Sequence, residues 1–173
     1  MVVEAYDLLM GDTTLDFVKG EHVVIYGGGE TGCEAAEFVA ATGATVTLVS
    51  RSRADQLARS AEAVYRINLI GRLNHHARIT VLERHHVTAV GEGMVEVSGE
   101  SRAPYSIAAS RLLLAQGRDS DDDLLAPLLR AGIACHVIGD SRKGGRIGDA
   151  VRDGYEAMRA IVARYGTVQP ALC

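Results

Sequence analysis

No two cysteines in this 173-residue chain stand in a Cys-x-x-Cys spacing. The three present, Cys33, Cys135 and Cys173, are widely separated. A thioredoxin-like redox pair, an iron–sulfur cluster and a cysteine-rich zinc site are therefore unsupported. No apolar run is long enough to span a membrane, so no membrane partner is expected. The opening MVVEAYDLLMGD carries acids where a secretory signal needs cations, and a cytoplasmic location is expected. There is no basic stripe and the net charge is −4, which argues against a nucleic-acid partner. Internal repeats and long low-complexity tracts are also absent. His75-His76 and His85-His86 invite a metal reading. Adjacent histidines on an extended chain point to opposite faces, and no carboxylate or cysteine spacing supports them. No metal is expected.

What is present is ordinary in bulk and specific in detail. The chain is 47% hydrophobic and 23% charged, as a soluble globular protein is. Its length suits one compact domain, or one with an appendage. The informative stretch is His22–Arg53, HVVIYGGGETGCEAAEFVAATGATVTLVSRSR. It predicts strand, glycine turn, helix, strand. Gly27, Gly29 and Gly32 make G-x-G-x-x-G, Ala36 follows at a small-residue position, and Gly43 closes the helix. Gly27 permits a tight turn out of the strand. Gly29 lets a pyrophosphate approach the backbone, and Gly32 lets the helix lie close to the sheet. The free N–H groups at the helix start then face the anion. A strand before the motif and an amphipathic helix after it form the context that a dinucleotide site needs.

The second strand, Val46–Val49, runs into Ser50-Arg51-Ser52-Arg53. An NAD site usually carries Asp or Glu about 20 residues past the glycines, on the ribose hydroxyls. Ser50 stands there instead, followed by Arg51 and Arg53. A carboxylate repels a 2′-phosphate, whereas two guanidiniums and a hydroxyl bind one. NADP(H) is therefore favoured over NAD(H), which stays possible. The alternative is that both arginines are solvated surface charges. Cys33, in the first helix turn, reads as a small buried packing residue rather than an activated thiol.

The rest continues an α/β pattern. Glu30–Thr42 is a helix with Ala35, Ala36, Val39 and Ala40 inward, and Ala54–Leu73 a second, with Leu57, Ala61, Val64, Ile67 and Leu73 on related faces. Ile79–Leu82, Val87–Val90, Met94–Val97 and Tyr105–Ala108 are short strands, the later ones a meander. Arg111–Ala115 is a buried strand. Asp121-Asp122-Asp123 predicts an acid-capped helix start. Ile133–Ile138 predicts one more strand, and Gly148–Arg164 a last helix with Ala150, Tyr155, Met158 and Ile161 on one face.

Taken in order, the Gly27–Gly32 fingerprint, Ala115-Gln116-Gly117-Arg118, Gly139-Asp140, Asp149-Ala150 and Gly154-Tyr155 resemble the two-dinucleotide-binding-domain flavoprotein reductases. The resemblance is closest to the carboxy-terminal region of the 2,4-dienoyl-CoA reductase / trimethylamine dehydrogenase group, where it is joined to a flavin barrel of old yellow enzyme type. It covers roughly residues 1 to 165, and Val2–Asp12 resembles the link into the second nucleotide domain. The glycine fingerprint alone is shared by many families; the ordered set is far more specific. A glycine-loop methyltransferase fits less well, because of the Gly32, Ala36, Gly43 spacing and the missing acid at Ser50.

The resemblance implies a Rossmann-like three-layer NAD(P)-binding domain, with a parallel sheet and β-meander, plus a C-terminal remnant of a FAD-binding domain. Residues 1–20 would be a linker from a missing flavin domain, 21–120 the NAD(P)-binding domain, 121–165 the flavin-domain segment and 166–173 a tail. Gly27, Gly28, Gly29, Glu30, Thr31 and Gly32 would cradle the pyrophosphate. Ser50, Arg51 and Arg53 would meet the adenosine ribose, and Ala115 and Gly117 would lie beside the nucleotide. Gly139 and Asp140 match the family's Gly-Asp, whose acid contacts the flavin's ribityl chain and phosphates; a plain turn or N-cap is the other reading of Asp140. Ile147–Ala150 match a helix start beneath the flavin. Gln116 departs from the family's Thr. The first dinucleotide fold, the barrel with FMN and the cluster cysteines are not in this sequence. The expectation is a carboxy-terminal piece of a larger enzyme, or else a stand-alone module. Its partners would be the missing flavin domains, or a second copy as a homodimer, and it would hold no complete catalytic site. A non-catalytic adenine-nucleotide or scaffold domain is the alternative function.

Overall fold

The computed structural model describes residues 1–100 and 102–166. The chain divides into two compact units, Met1–Gly117 and Arg118 onward.

The first unit is α/β. Its elements are β1 (Val2–Glu4), α1 (Ala5–Met10), β2 (His22–Tyr26), α2 (Glu30–Ala41), β3 (Thr45–Ser50), α3 (Ala63–His75), β4 (Ile79–Glu83), β5 (His85–Gly91), β6 (Met94–Gly99), β7 (Arg102–Ala108) and β8 (Arg111–Leu114). Five strands form a parallel sheet in the order β1-β8-β2-β3-β4. β5, β6 and β7 form a separate antiparallel meander. Side chains alternate across the parallel strands, so the sheet has two buried faces. Val23, Ile25, Val46, Leu48 and Leu113 pack with Ala35, Ala36 and Val39 of α2 and Leu69 and Leu73 of α3. Val24, Val49 and Leu112 face Val95 and Val97 of the meander. Helices, parallel sheet and meander make the three layers that were anticipated.

Several local expectations change. Residues 1–20 are not a linker: β1 pairs with β8, and Ala5 and Leu8 of α1 are buried in the core. The Ala54–Leu73 helix breaks into a single 3-10 turn, Ala54–Gln56, and α3. Leu57 is drawn into the core, Ala58 takes the left-handed conformation (φ 47°), and Val64 and Ile67 are exposed. The Glu62 carboxylate caps α3, accepting from the Val64 and Tyr65 N–H groups. His75 closes α3 and His76 follows it, so that pair is not on a strand.

The second unit holds α4 (Leu125–Arg130), a 3-10 turn (Gly139–Ser141) and α5 (Ile147–Tyr165). Ile133–Ile138 forms no strand: the run has strand composition but no strand to pair with. The acidic run caps by a turn one step early. Asp121 accepts the Asp123 N–H, and α4 has no side-chain cap. None of the second unit's described residues is buried, and Val151, Tyr155, Met158 and Ile161 of α5 are exposed. Cys173 and the tail beyond Gly166 lie outside the described residues. Among the described residues no helix is long and apolar enough to cross a membrane.

Candidate functional site

The glycine turn joins β2 to α2, and each glycine meets a different environment. Gly27 sits at φ 132°, and a Cβ there would fall 2.0 Å from the Ala115 carbonyl oxygen. Its N–H donates to Val49 O at 2.9 Å, which holds the turn to β3. A Cβ on Gly28 would strike Ser50 Oγ at 2.3 Å and the Leu57 side chain at 2.5 Å. One on Gly32 would strike the Gly27 carbonyl oxygen at 1.9 Å. At Gly29 nothing lies within 4 Å of that position. Three glycines are thus required by packing inside the protein, and the fourth faces open space.

α2 starts at this open side. Gly29 is its N-cap in extended conformation, with no side-chain capping bond. The first N–H groups of a helix have no intrahelical acceptor, so those of Glu30, Thr31 and Gly32 remain for a ligand. Twelve residues of helix dipole add positive potential at the same place. Such an arrangement suits an anion, with the backbone supplying the donors.

Ala115 packs against this turn. Its N–H donates to Tyr26 O at 2.8 Å, and its carbonyl backs Gly27. Gln116 gives its amide Nε2–H to the same Tyr26 oxygen, also at 2.8 Å. The residue that departs from the family pattern therefore locks the end of β8 to the end of β2. Gly117 is exposed at φ 98°.

Ser50 does not present its hydroxyl to the solvent side. It is 2% exposed, its Oγ accepts the Ser52 N–H at 3.1 Å, and it fills the space beside Gly28. Ser50 is the floor of the turn rather than a ribose contact. Arg51 is exposed and has no polar partner among the described residues. Arg53 is exposed but paired, its Nε 3.1 Å from Asp55 Oδ1.

Beneath the turn, Cys33 is fully buried and its thiol donates to Gly28 O at 3.8 Å. Burial pushes this thiol up to about 12, with the Glu34 carboxylate adding to the rise. It is a protonated packing residue.

Sequence reasoning missed the segment after β3. Ala58 N–H donates to Gly28 O at 2.8 Å, so this segment folds back onto the glycine turn. Arg59 follows, exposed and without a polar partner among the described residues. Arg66 of α3 donates to Leu57 O at 2.7 Å and also to Asp55 O. Glu83, at the end of β4, accepts the Ala54 N–H at 2.7 Å. Periodicity carries no trace of these contacts; a third arginine close behind Arg51 and Arg53 was the one available signal.

Gly139 and Asp140 lie in the second unit. Gly139 is at φ 59°, with its N–H donating to Asp153 Oδ2 of α5 at 3.1 Å. Asp140 accepts the Gly145 N–H at 3.2 Å and lies 3.8 Å from Arg118. Ile147–Ala150 form the first turn of α5, where Asp149 caps the Arg146 N–H at 3.0 Å. This unit also holds an open cavity of about 580 Å³, lined in part by Asp121, Leu125, Leu128, Cys135 and His136. Among the described residues no three His, Cys, Asp or Glu side chains gather as a metal site would require.

The family described as pyridine nucleotide-disulphide oxidoreductase matches residues 4–151. A protein named NADH oxidase, from Thermoanaerobacter brockii, is 31% identical over 156 residues, 90% of this chain and 23% of that protein. Histamine dehydrogenase from Rhizobium sp. 4-9 superposes with a TM-score of 0.72 at 23% identity, over 99% of this chain and 27% of its own. A 2-naphthoyl-CoA reductase superposes at 0.66 with 27% identity, over 90% of this chain and 23% of its own. The chain spans about a quarter of the length of each of these relatives.

Proposed function

Because the chain belongs to the pyridine nucleotide-disulphide oxidoreductase family, we propose that it is the NADPH-binding domain of a flavin-dependent oxidoreductase, its flavin (FAD or FMN) held mostly by residues outside this chain. The finer kinship we propose is with the 2,4-dienoyl-CoA reductase / trimethylamine dehydrogenase group. The fold likeness to a naphthoyl-CoA reductase and a histamine dehydrogenase supports it.

One observation carries the reading: the open face at Gly29 coincides with the uncapped start of α2. These residues fit a dinucleotide pyrophosphate, which needs close backbone approach and unpaired N–H donors together. The nicotinamide, when bound, supplies hydride transfer. The residues of this chain bind and orient. The Glu30, Thr31 and Gly32 amides take the pyrophosphate. Gln116 and Ala115 keep the strand ends rigid behind it. Arg51 and Arg59 offer free guanidiniums for a 2′-phosphate, and no carboxylate stands at Ser50 to repel one. The exposed apolar side chains of α5 are the surface we assign to a flavin-binding partner region. In the second unit Asp140 would then turn from its local cap to the flavin side.

A second reading has one observation in its favour. Arg53 is already neutralised by Asp55, which suits a domain that holds only an adenine nucleotide or acts as scaffold.

Calorimetric titration separates the two. Losing the 2′-phosphate forfeits charge-assisted bonds of about 1.5–3 kcal/mol each, so NADPH should bind at least roughly tenfold tighter than NADH. Equal affinities for NADPH, NADH and ADP would contradict the reductase reading and favour the second.

A further inference from the structure

We propose that Asp55 sets the nucleotide preference of this site, by holding Arg53 in an ion pair that a 2′-phosphate must break. The inference rests on the nucleotide-binding reading above.

The turn that carries both residues is fixed on several sides. Ala54 N–H is bound by Glu83 of β4 at 2.7 Å, and Gln56 N–H by Arg53 O at 2.9 Å. Arg66 of α3 holds the Leu57 and Asp55 carbonyls. Ala58 N–H is bound to Gly28 O at 2.8 Å. The segment from Arg53 to Ala58 is therefore anchored to a strand, a helix and the glycine turn itself. It lies just past the carboxyl end of β3, where Rossmann domains read the adenosine ribose.

On this fixed turn the charges are unequal. Arg53 Nε lies 3.1 Å from Asp55 Oδ1, with the two side chains 60% and 61% exposed. Arg51 and Arg59, which flank the pair in sequence, are exposed and have no polar partner among the described residues. A phosphate that reaches Arg53 meets a carboxylate already on the same guanidinium, and like charges repel. A ribose hydroxyl is neutral and can donate to that carboxylate instead. Asp55 thus disfavours NADPH and tolerates NADH, while Arg51 and Arg59 act the other way. An exposed pair of this kind is weak, so the phosphate can displace it, and the effect is a tuning of preference rather than a block.

The test is calorimetric titration of the 173-residue chain with NADPH and NADH, in Asp55→Asn, Asp55→Glu, Arg53→Gln and the Arg53→Gln/Asp55→Asn pair. Asp55→Asn should raise the NADPH-over-NADH affinity ratio about three- to fivefold, the span that an exposed ion pair can yield. Asp55→Glu keeps the charge and should keep the ratio within about twofold. Against Arg53→Gln alone, the gain from Asp55→Asn should diminish, because no ion pair is left for the phosphate to break and only direct charge repulsion remains. An unchanged ratio in Asp55→Asn, or an undiminished gain without Arg53, would overturn the proposal while the nucleotide site stood. Failure of the unsubstituted chain to bind either nucleotide would instead remove the site reading along with it.

Discussion

Gly27 and Gly29 share one turn and answer to opposite constraints. Gly27 is confined by the Ala115 carbonyl at its back and by a φ of 132°, so any side chain there disrupts the turn. Gly29 has an ordinary φ of −74° and empty space beside it. Its lack of a side chain is required by no packing contact of the fold. Cys33, one turn along α2, is the opposite kind of residue, chemically capable but silenced by burial. Its folded thiol pKa is about 12 against a usual 9.0. Between those values the unfolded chain has lost the proton and the folded one keeps it. The folded state then binds more protons, so stability falls as pH rises. The expected slope is about 1.4 kcal/mol per pH unit across that window, and Cys33→Ala should flatten it. Denaturant titrations from pH 8 to pH 11 check this. A thiol reagent should label Cys135 in the folded chain and leave Cys33 unlabelled until it unfolds.

Elements were legible wherever local preference and tertiary packing agreed. β2, the glycine turn, α2 and β3 formed as their residues predict, because the apolar period, the glycines and the buried faces all specify one arrangement. The stretch after β3 was not legible. Leu57 and Ala58 fit a helical period, but Leu57 is needed beside Gly28, and the Ala58 N–H by its carbonyl. Those partners lie about thirty residues back in the chain, beyond any local pattern. Ile133–Ile138 shows the reverse case, strand composition without a pairing partner. Residues 1–20 hid their role because their anchors are remote. Arg111, at the start of β8, forms an ion pair with Glu21 at 2.7 Å, donates to Asp16 O at 2.8 Å and lies 5.1 Å from the Phe17 ring. Burial raises the Glu21 carboxyl, but hydrogen bonds from Ser110 and the Val18 N–H, with the charge of Arg111, outweigh it and lower the pKa overall. This contribution is present above the ordinary carboxylate pKa and is lost as pH falls through the lowered one. Arg111→Leu should cost about 2–3 kcal/mol, less than the roughly 3–5 kcal/mol of a fully buried pair. The loss should shrink as pH falls through the lowered Glu21 pKa, and urea melts at neutral pH and across the acid range measure both quantities.

At the scale of the whole molecule, the core and the glycine turn lie within the first unit, while no described residue of the second is buried. Burial of apolar area is the main stabilising term in folding, so the two units cannot be equally stable. Opening without a core to lose has a low free-energy cost. Limited proteolysis should cut first between Arg118 and Arg146 and leave a resistant amino-terminal fragment. Equal resistance throughout would mean that the α5 face is covered in solution. A flavin-binding partner region, if it docks there as proposed, should give the same protection.

A glycine turn built for a ligand, and not only for the fold, should lose binding before it loses stability. Gly29→Ala tests it most directly, because an alanine there has room and an allowed backbone. Paired thermal melts and NADPH titrations of the wild-type and substituted chains would decide it. The expected outcome is a stability loss of no more than about 1 kcal/mol, the cost of alanine at a helix N-cap, and an NADPH affinity at least roughly tenfold weaker. Unchanged affinity in a stably folded Gly29→Ala chain would contradict it, since the pyrophosphate would then lie elsewhere.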